Sequence, residues 1–211
     1  AKMRGSLDSQ GNLTGLHMRI SGQSIIAGLM PSRLVDGMDF ATFQGVVKGG
    51  INPGMDDHQI AYEFPNLTVD HAMRNPPIRP GFWRGVNVNQ NAVYLECFMD
   101  EMAAAAGRDP LEFRLAHLKN SPKSAAVLKA VAQKSGWGSG DGKSRGLALF
   151  HAFGSYVAAC ADVTVDGSGD LSINRIVAAT DCGTAVNPQQ IEAQIEGSFV
   201  YGLSAALYGE I

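Results

Sequence analysis

The stretch Asn91–Gly136, "NAVYLECFMDEMAAAAGRDPLEFRLAHLKNSPKSAAVLKAVAQKSG", decides the fold class. It reads as three helices in succession with no strand between them. Over 91–106, Ala92, Leu95, Phe98, Met99, Met102 and Ala106 recur near the helical period and share one face. Gly107 ends that helix. Asp109, Pro110 and Glu112 then stand where a helix places its N-cap, its first residue and the third residue of a capping box. Ser121 and Pro122 repeat the start signal, and Gly136 stops the third helix. Outward on the C-terminal side come "RGLALFHAF", "YVAACADVTV", a turn at Asp166-Gly167-Ser168-Gly169, and "DLSINRIVAATD", all patterned as strands. "NPQQIEAQIEGSFVYGLSAAL" closes as a helix with Asn187 as N-cap, Pro188 and Gln190 behind it. On the N-terminal side, residues 2–20 form a hairpin turning at 9–12. Residues 21–58 read as a long excursion with little regular structure. "QIAYEFPNLTVDHAMR" gives one or two strands broken at Pro65, and "NPPIRPG" (75–81) is a stiff extended loop. Strands and helices fall in blocks rather than alternating. The prediction is therefore α+β, with mixed or antiparallel sheet layers and helices packed on them. It divides into a hairpin and strands over 1–80, a helical part over 88–136, and a strand-hairpin plus C-terminal helix over 145–211.

Composition narrows the function. The 211 residues are 45% apolar and 18% charged, which suits a globular chain able to bury a core. A net charge of -3 with no Lys/Arg run argues against a nucleic-acid surface. No apolar run reaches the roughly 18 residues of a transmembrane span. Ala1–Asn12 is polar and strand-like rather than a signal peptide. An opening Ala and a closing "ALYGEI", read as the start of an apolar strand, suggest a piece of a longer chain. Cys97, Cys160 and Cys182 have no C-x-x-C spacing, so buried free thiols are expected in place of a cluster or zinc site.

Most apparent motifs carry a bland reading. "GSGDGKS" (138–144) resembles a phosphate loop, but Trp137 stands where the pattern needs glycine, and the stretch follows a helix. A flexible turn explains it. Ser155 lies in "FGSYV", not in a nucleophile elbow. His17, His58, His71, His117 and His151 lack metal-ligand spacing and read as surface or packed histidines. Glu96 and Asp100, four apart beside Glu101, are either an acid–base couple or a solvated or salt-bridged helix face.

Arg84 differs in context. A guanidinium offers five fixed donors and a permanent charge, suited to phosphate, carboxylate or oxo groups. It lies on the loop "FWRG" (82–85) that leads into a helix, where backbone N–H groups are also on offer. Phe82 and Trp83 supply an apolar wall. A ligand clamp and a structural corner both fit this pattern. In "DCGTAVNPQQIEAQIEG" (181–197), Gln194 and Gly197 lie one helical turn apart, and a ligand contact and close helix packing are again both open.

At these two stretches the chain resembles the molybdenum hydroxylases, the family of xanthine dehydrogenases and aldehyde oxidases. "FWRGVNVNQNAVYLECFMDEMAAAAGRDPLEFRLAHL" is similar to that family's arginine-glycine loop and following helices. "GSYVAACADVTVDGSGDLSINRIVAATDCGTAVNPQQIEAQIEGSFVYGLSAALYGEI" is nearer the large subunits of isoquinoline 1-oxidoreductase type, also called membrane-bound aldehyde dehydrogenase type. The resemblance covers roughly residues 2–20 and 60–211. It implies a molybdopterin-binding-domain fold and a molybdopterin cytosine dinucleotide or related molybdenum cofactor. It implies hydroxylation of an aldehyde or N-heterocycle with water as oxygen source, a glutamate acting as base, and electrons leaving through a small iron–sulfur partner subunit. Carried over, Phe82 and Trp83 wall the pocket, Arg84 faces the cofactor, Gly85 allows close approach, and Gln194 lies nearby. No protein metal ligand is implied. The family's "G-x-G-E" glutamate and "G-Q-G" cofactor motif have no match here, and Glu210 in "YGEI" does not fit the former. The catalytic glutamate is thus expected outside these residues, and the piece is expected to be inactive alone. The other reading is a non-catalytic assembly or docking module that kept the fold. Periplasm and cytoplasm are both compatible with the resemblance.

Overall fold

The computed structural model describes residues 1–48 and 59–210. The end of the predicted excursion, with His58, lies outside the described residues. The described chain forms two units, Ala1–Asp181 and Cys182–Ile211.

The first unit opens with the predicted hairpin. β1 (Lys2–Leu7) and β2 (Leu13–Gly22) pair antiparallel. Asp8 closes the turn by accepting from the backbone N–H groups of Gln10 and Asn12. β3 (Asn66–Met73) joins the other side of β2 in parallel, so this sheet is mixed. A parallel neighbour requires a long crossover, and the excursion supplies it. Short helical pieces break its course: α1 (Ile25–Leu29) and 3-10 turns at Pro31–Arg33 and Phe40–Phe43. Caps make them. Ser24 Oγ accepts from Ala27 N–H and donates to Asp39, whose other oxygen caps the second 3-10 turn. Pieces this short leave no periodicity to read. Of the strands expected over 59–74 only β3 forms. It starts after Pro65, which has no N–H to give a ladder, while Gln59 makes an isolated bridge to Val47.

The three helices are present: α2 (Val88–Ala105), α3 (Pro110–Ala116) and α4 (Pro122–Ser135). Asp109 accepts from the N–H groups of Leu111 and Glu112, as a cap should. Ser121 does not cap α4; its hydroxyl donates to the Ala61 carbonyl and ties that helix to the crossover. Gly136 ends α4 in the left-handed region at φ 74°. The buried face of α2 is the predicted one, widened on its polar side. Leu95, Met99 and Met102 are buried as expected, but Asn91, Glu96 and Ala103 join them, while Ala92, Phe98 and Ala106 are half-buried. A β-carbon on Gly5 of β1 would sit 2.6 Å from Met102 Sδ and 3.1 Å from Phe98, so α2 lies directly on the first sheet.

β4 (Ser144–Ala152), β5 (Ser155–Val165) and β6 (Leu171–Asp181) make a second, antiparallel meander. One mixed and one antiparallel sheet with helices packed between blocks of strand give the expected α+β class. Leu147, Leu149, Ala158 and Cys160 of the second sheet join Phe113, Leu128 and Val131 of the helices in one buried cluster with Leu16 and Met18. Cutting Leu128 to Ala there would cost ~2–5 kcal/mol through lost burial and a residual cavity. Cys160 is a buried free thiol as expected; Cys97 and Cys182 are free but exposed.

In the second unit, α5 (Pro188–Tyr208) starts at Asn187, whose side chain accepts from Gln190 N–H. Among the described residues the expected terminal strand does not form, because Ala205–Tyr208 continue the helix. No helix among the described residues is long and apolar enough to cross a membrane.

Candidate functional site

The loop before α2 is built by the Asn/Gln-rich stretch behind it. Val86 N–H donates to the Trp83 carbonyl at 2.8 Å and Val88 N–H to the Gly85 carbonyl at 3.1 Å, closing two overlapping turns. Asn89 Nδ2 reaches back to the Arg84 carbonyl at 2.6 Å. Asn87 N–H donates to Gln44 Oε1 at 3.2 Å, and Gln90 Nε2 to Asn87 Oδ1 at 2.8 Å. Asn91, fully buried, donates to the carbonyls of Thr42 and Gln44, both at 2.9 Å. These bonds anchor the loop to the crossover. The amides are conspicuous in the sequence, but their role is not, because their partner Gln44 lies 43 residues from Asn87.

The backbone here is unusual. Gly85 has φ 90° and Val86 φ 51°. A β-branched residue at positive φ is a strained conformer, held only where its surroundings enforce it. A β-carbon on Gly85 would fall 2.3 Å from Asn89 Oδ1, so the glycine admits the amide that clamps Arg84. Phe82 and Trp83 are 59% and 53% exposed. Rings that held a structural corner together would be buried in it. These two instead present apolar surface next to Arg84 in the sequence.

A guanidinium on an exposed loop offers donors of the kind that an anionic group takes. A metal carried on its own organic ligand asks the protein for donors, walls and orientation rather than for metal-ligating side chains. Among the described residues no group of three or more His, Cys, Asp or Glu could hold a metal ion. Phe82, Trp83, Arg84 and Gly85 are contiguous in the first unit; Gln194 lies on α5 of the second.

The acidic helix face resolves differently. Glu96 is buried and accepts from Tyr62 Oη at 2.8 Å, Arg114 Nε at 3.0 Å and Leu149 N–H at 2.9 Å. Arg114, with no exposed surface, also donates to Asp100 at 2.6 Å and to the Glu96 carbonyl at 2.9 Å. The face is salt-bridged, and Glu96 is not solvated. Burial pushes the Glu96 carboxyl up, opposed by Arg114, Tyr62 and Leu149. Burial alone would lower the Arg114 guanidinium, but the Glu96 charge reverses that and its pKa is raised. Nothing in the sequence singles out Tyr62 or Arg114, since an arginine within "LEFRLA" looks like any surface helix charge.

The remaining candidates are structural. His17 Nε2 lies 2.7 Å from Asp70, His71 Nε2 lies 3.2 Å from the Gly22 carbonyl, His117 packs edge-on to Phe113, and His151 stacks on Tyr156. In the phosphate-loop look-alike, Asp141 takes both terminal nitrogens of Arg145 and pairs with Lys143, leaving a turn braced by its own charges.

The family model described as "Molybdopterin cofactor-binding domain" matches residues 84–211. The beta subunit of isoquinoline 1-oxidoreductase from Brevundimonas diminuta is 31% identical over 207 residues, 95% of this chain and 25% of that protein. A nicotinate dehydrogenase subunit of Pseudomonas putida is 32% identical over 170 residues, 71% of this chain and 14% of that one. The membrane-bound aldehyde dehydrogenase [pyrroloquinoline-quinone] of Gluconacetobacter polyoxogenes is 27% identical over 242 residues, 98% of this chain and 29% of that protein. The chain thus spans between about one seventh and three tenths of these relatives.

Proposed function

The chain belongs to the molybdopterin cofactor-binding domain family, and from that premise we propose that Phe82–Gly85 forms one wall of a molybdenum-cofactor site in a larger oxidoreductase subunit. The observation that carries the reading is the exposed Phe82–Trp83 pair beside Arg84, on a loop pinned by Asn89 at the cost of positive φ at Val86. Arg84 donates to an anionic edge of the cofactor and the two rings keep water from that edge; Gln194, on α5 of the other unit, is assigned to the cofactor by the family resemblance alone. When bound, the cofactor supplies two-electron chemistry that hydroxylates an aldehyde or N-heterocycle with oxygen from water. The substrate classes follow the names of the relatives, an isoquinoline and a nicotinate enzyme and an aldehyde dehydrogenase. A molybdopterin cytosine dinucleotide is the form proposed, a small iron–sulfur subunit the electron acceptor, and a glutamate outside residues 1–211 the base. On this reading residues 1–211 alone neither retain molybdenum nor reduce a dye with aldehyde.

Arg84→Ala in the full-length subunit tests it. Molybdenum content or turnover should fall by more than about tenfold, the usual scale for losing a charged, site-organising contact. Metal analysis paired with pterin fluorescence separates this cofactor from the quinone in one relative's name. If occupancy and rate both stay near wild type while assembly with a partner subunit changes, the chain is instead a docking module.

A further inference from the structure

We infer that the outer face of the first sheet is a docking surface for an acidic protein partner, with a partner carboxylate seated against Arg4. The strand registers place nine residues on that face in three cross-strand rows: Lys2, Arg19 and Asp70; Arg4, His17 and Thr68; Ser6, Gly15 and Asn66. None is a large apolar residue. The opposite face carries Met18, Leu16 and Ile20 and is buried.

The charges on this lattice do not balance. Lys2, Arg4 and Arg19 face a single carboxylate, Asp70. Asp70 is already taken by Arg19, through Nε at 2.5 Å and the terminal nitrogen at 3.0 Å, and by His17 Nε2 at 2.7 Å. Among the described residues no carboxylate pairs with Lys2 or Arg4. The two acids at the sheet's ends are occupied elsewhere: Asp8 by the turn N–H groups of Gln10 and Asn12, Glu63 by Asn120 N–H. A surplus of cations on a chain of net charge -3 is a local feature, not a consequence of composition.

The face also has a receptor-like dent. Gly15 carries no side chain, and around it Arg4, Ser6, His17, Asn66 and Thr68 line a shallow concavity of about 300 Å³. Thr14 Oγ1 donates to Ser6 Oγ at 2.8 Å, which leaves the Ser6 proton for a ligand. Arg4, Ser6 and Thr68 thus offer donors in a space that no carboxylate lines. Charge complementarity selects an acidic occupant. A nucleic acid would call for aromatic stacking platforms and a longer basic track, and this face has neither. Three strands by five residues measure only ~10 by 14 Å, so the lattice steers and orients a salt-sensitive contact rather than forming a large obligate interface.

The test is a titration of the nitrogen-15-labelled chain with a hexaglutamate peptide at low salt, read by amide shifts. Shifts should gather on Lys2, Arg4, Gly15, His17 and Thr68, and vanish near about 0.5 M salt, where the screening length is only a few ångströms. Arg4→Glu should weaken binding at least about tenfold, as like charge replaces attraction. Thr68→Asp, on another strand, should do the same and stands in if the first variant misfolds. Lys129→Glu on α4 should bind like wild type. Shifts centred elsewhere, or wild-type affinity in both face variants, would overturn the proposal. So would tighter binding of a DNA oligonucleotide of equal charge, or equal shifts with inorganic phosphate at the same concentration.

Discussion

Val86 holds a conformation that its side chain disfavours, and the reason lies in its neighbours. With φ at 51° its β-branched carbon crowds its own backbone, yet the turn bonds from Val86 and Val88 and the Asn89 clamp keep it there. Replacing it with asparagine, which tolerates the left-handed region, should raise stability by about 1 kcal/mol. Gly85→Ala should do the opposite, losing ~1–3 kcal/mol, since both φ and the Asn89 amide exclude a β-carbon. Urea unfolding of the two variants checks both signs, and a Val86→Asn protein no more stable than wild type would show that the strain is absent. If the loop is a cofactor wall, Gly85→Ala, which displaces the Asn89 clamp on Arg84, should also reduce cofactor retention in the full-length subunit. A purely structural corner would lose stability without losing cofactor. In the sequence "FWRGVNVNQN" the arginine and glycine were legible as a possible clamp. The strain at Val86 was not, because valine gives no warning of positive φ.

The helix α2 shows why element type and its apolar face were readable and the polar partners of that face were not. Its period and the signals around Asp109, Pro122 and Gly136 come from local chemistry, and the helices stand where those signals put them. The burial of Glu96 beside that face is set by an ionic hub that no spacing rule contains. Glu96 meets Arg114 from α3, Tyr62 from the crossover and the Leu149 N–H of β4, so one carboxylate fixes four segments. The parallel placement of β3 escaped for a like reason, as it depends on a crossover whose caps are local but whose path is not. Breaking one side of the hub leaves a buried charge without its partner. Arg114→Met should therefore cost ~3–5 kcal/mol, whereas Glu96→Gln with Arg114→Met should cost clearly less than the two single losses added. A double-mutant cycle by denaturant unfolding reads this directly, and additive losses would mean the pair is not coupled. The β4–β5 hairpin offers a second check. Phe153 occupies its turn at φ 51° ahead of Gly154 at φ 71°, where Asn-Gly is the favoured pair. Phe153→Asn should stabilise the protein by about 0.5–1 kcal/mol.

At the scale of the whole chain, two ion-pair clusters reinforce junctions that the ladders and the core already make, and both titrate in the same range. Hydrogen bonds from Arg19 and then His17 hold the Asp70 carboxyl at about 2, below its ordinary 3.8, which ties β3 to β2. The Arg145 guanidinium likewise holds Asp141 at about 2, bracing the 138–144 turn on β4. A depressed folded-state pKa means that the unfolded chain binds protons more readily. Each contribution is thus fully present above about pH 4, the unfolded carboxyl value, and is lost as pH falls through about 2. Asp70→Asn and Asp141→Asn should each be less stable than wild type at pH 6 and should converge on it near pH 2. Comparing each variant with wild type at the same pH cancels the other titrations, including that of Glu96, which runs in the opposite direction. Asp70 and Asp141 are themselves partly open to solvent, at 33% and 35% of their side chains, so salt near about 0.5 M should narrow the pH 6 gap by screening, more for Asp70, whose partner Arg19 is exposed, than for Asp141, whose partner Arg145 is not. The measurement is urea unfolding at several pH values and two ionic strengths. A gap that persists unchanged at pH 2 would mean that packing, not the carboxylate charge, links these segments.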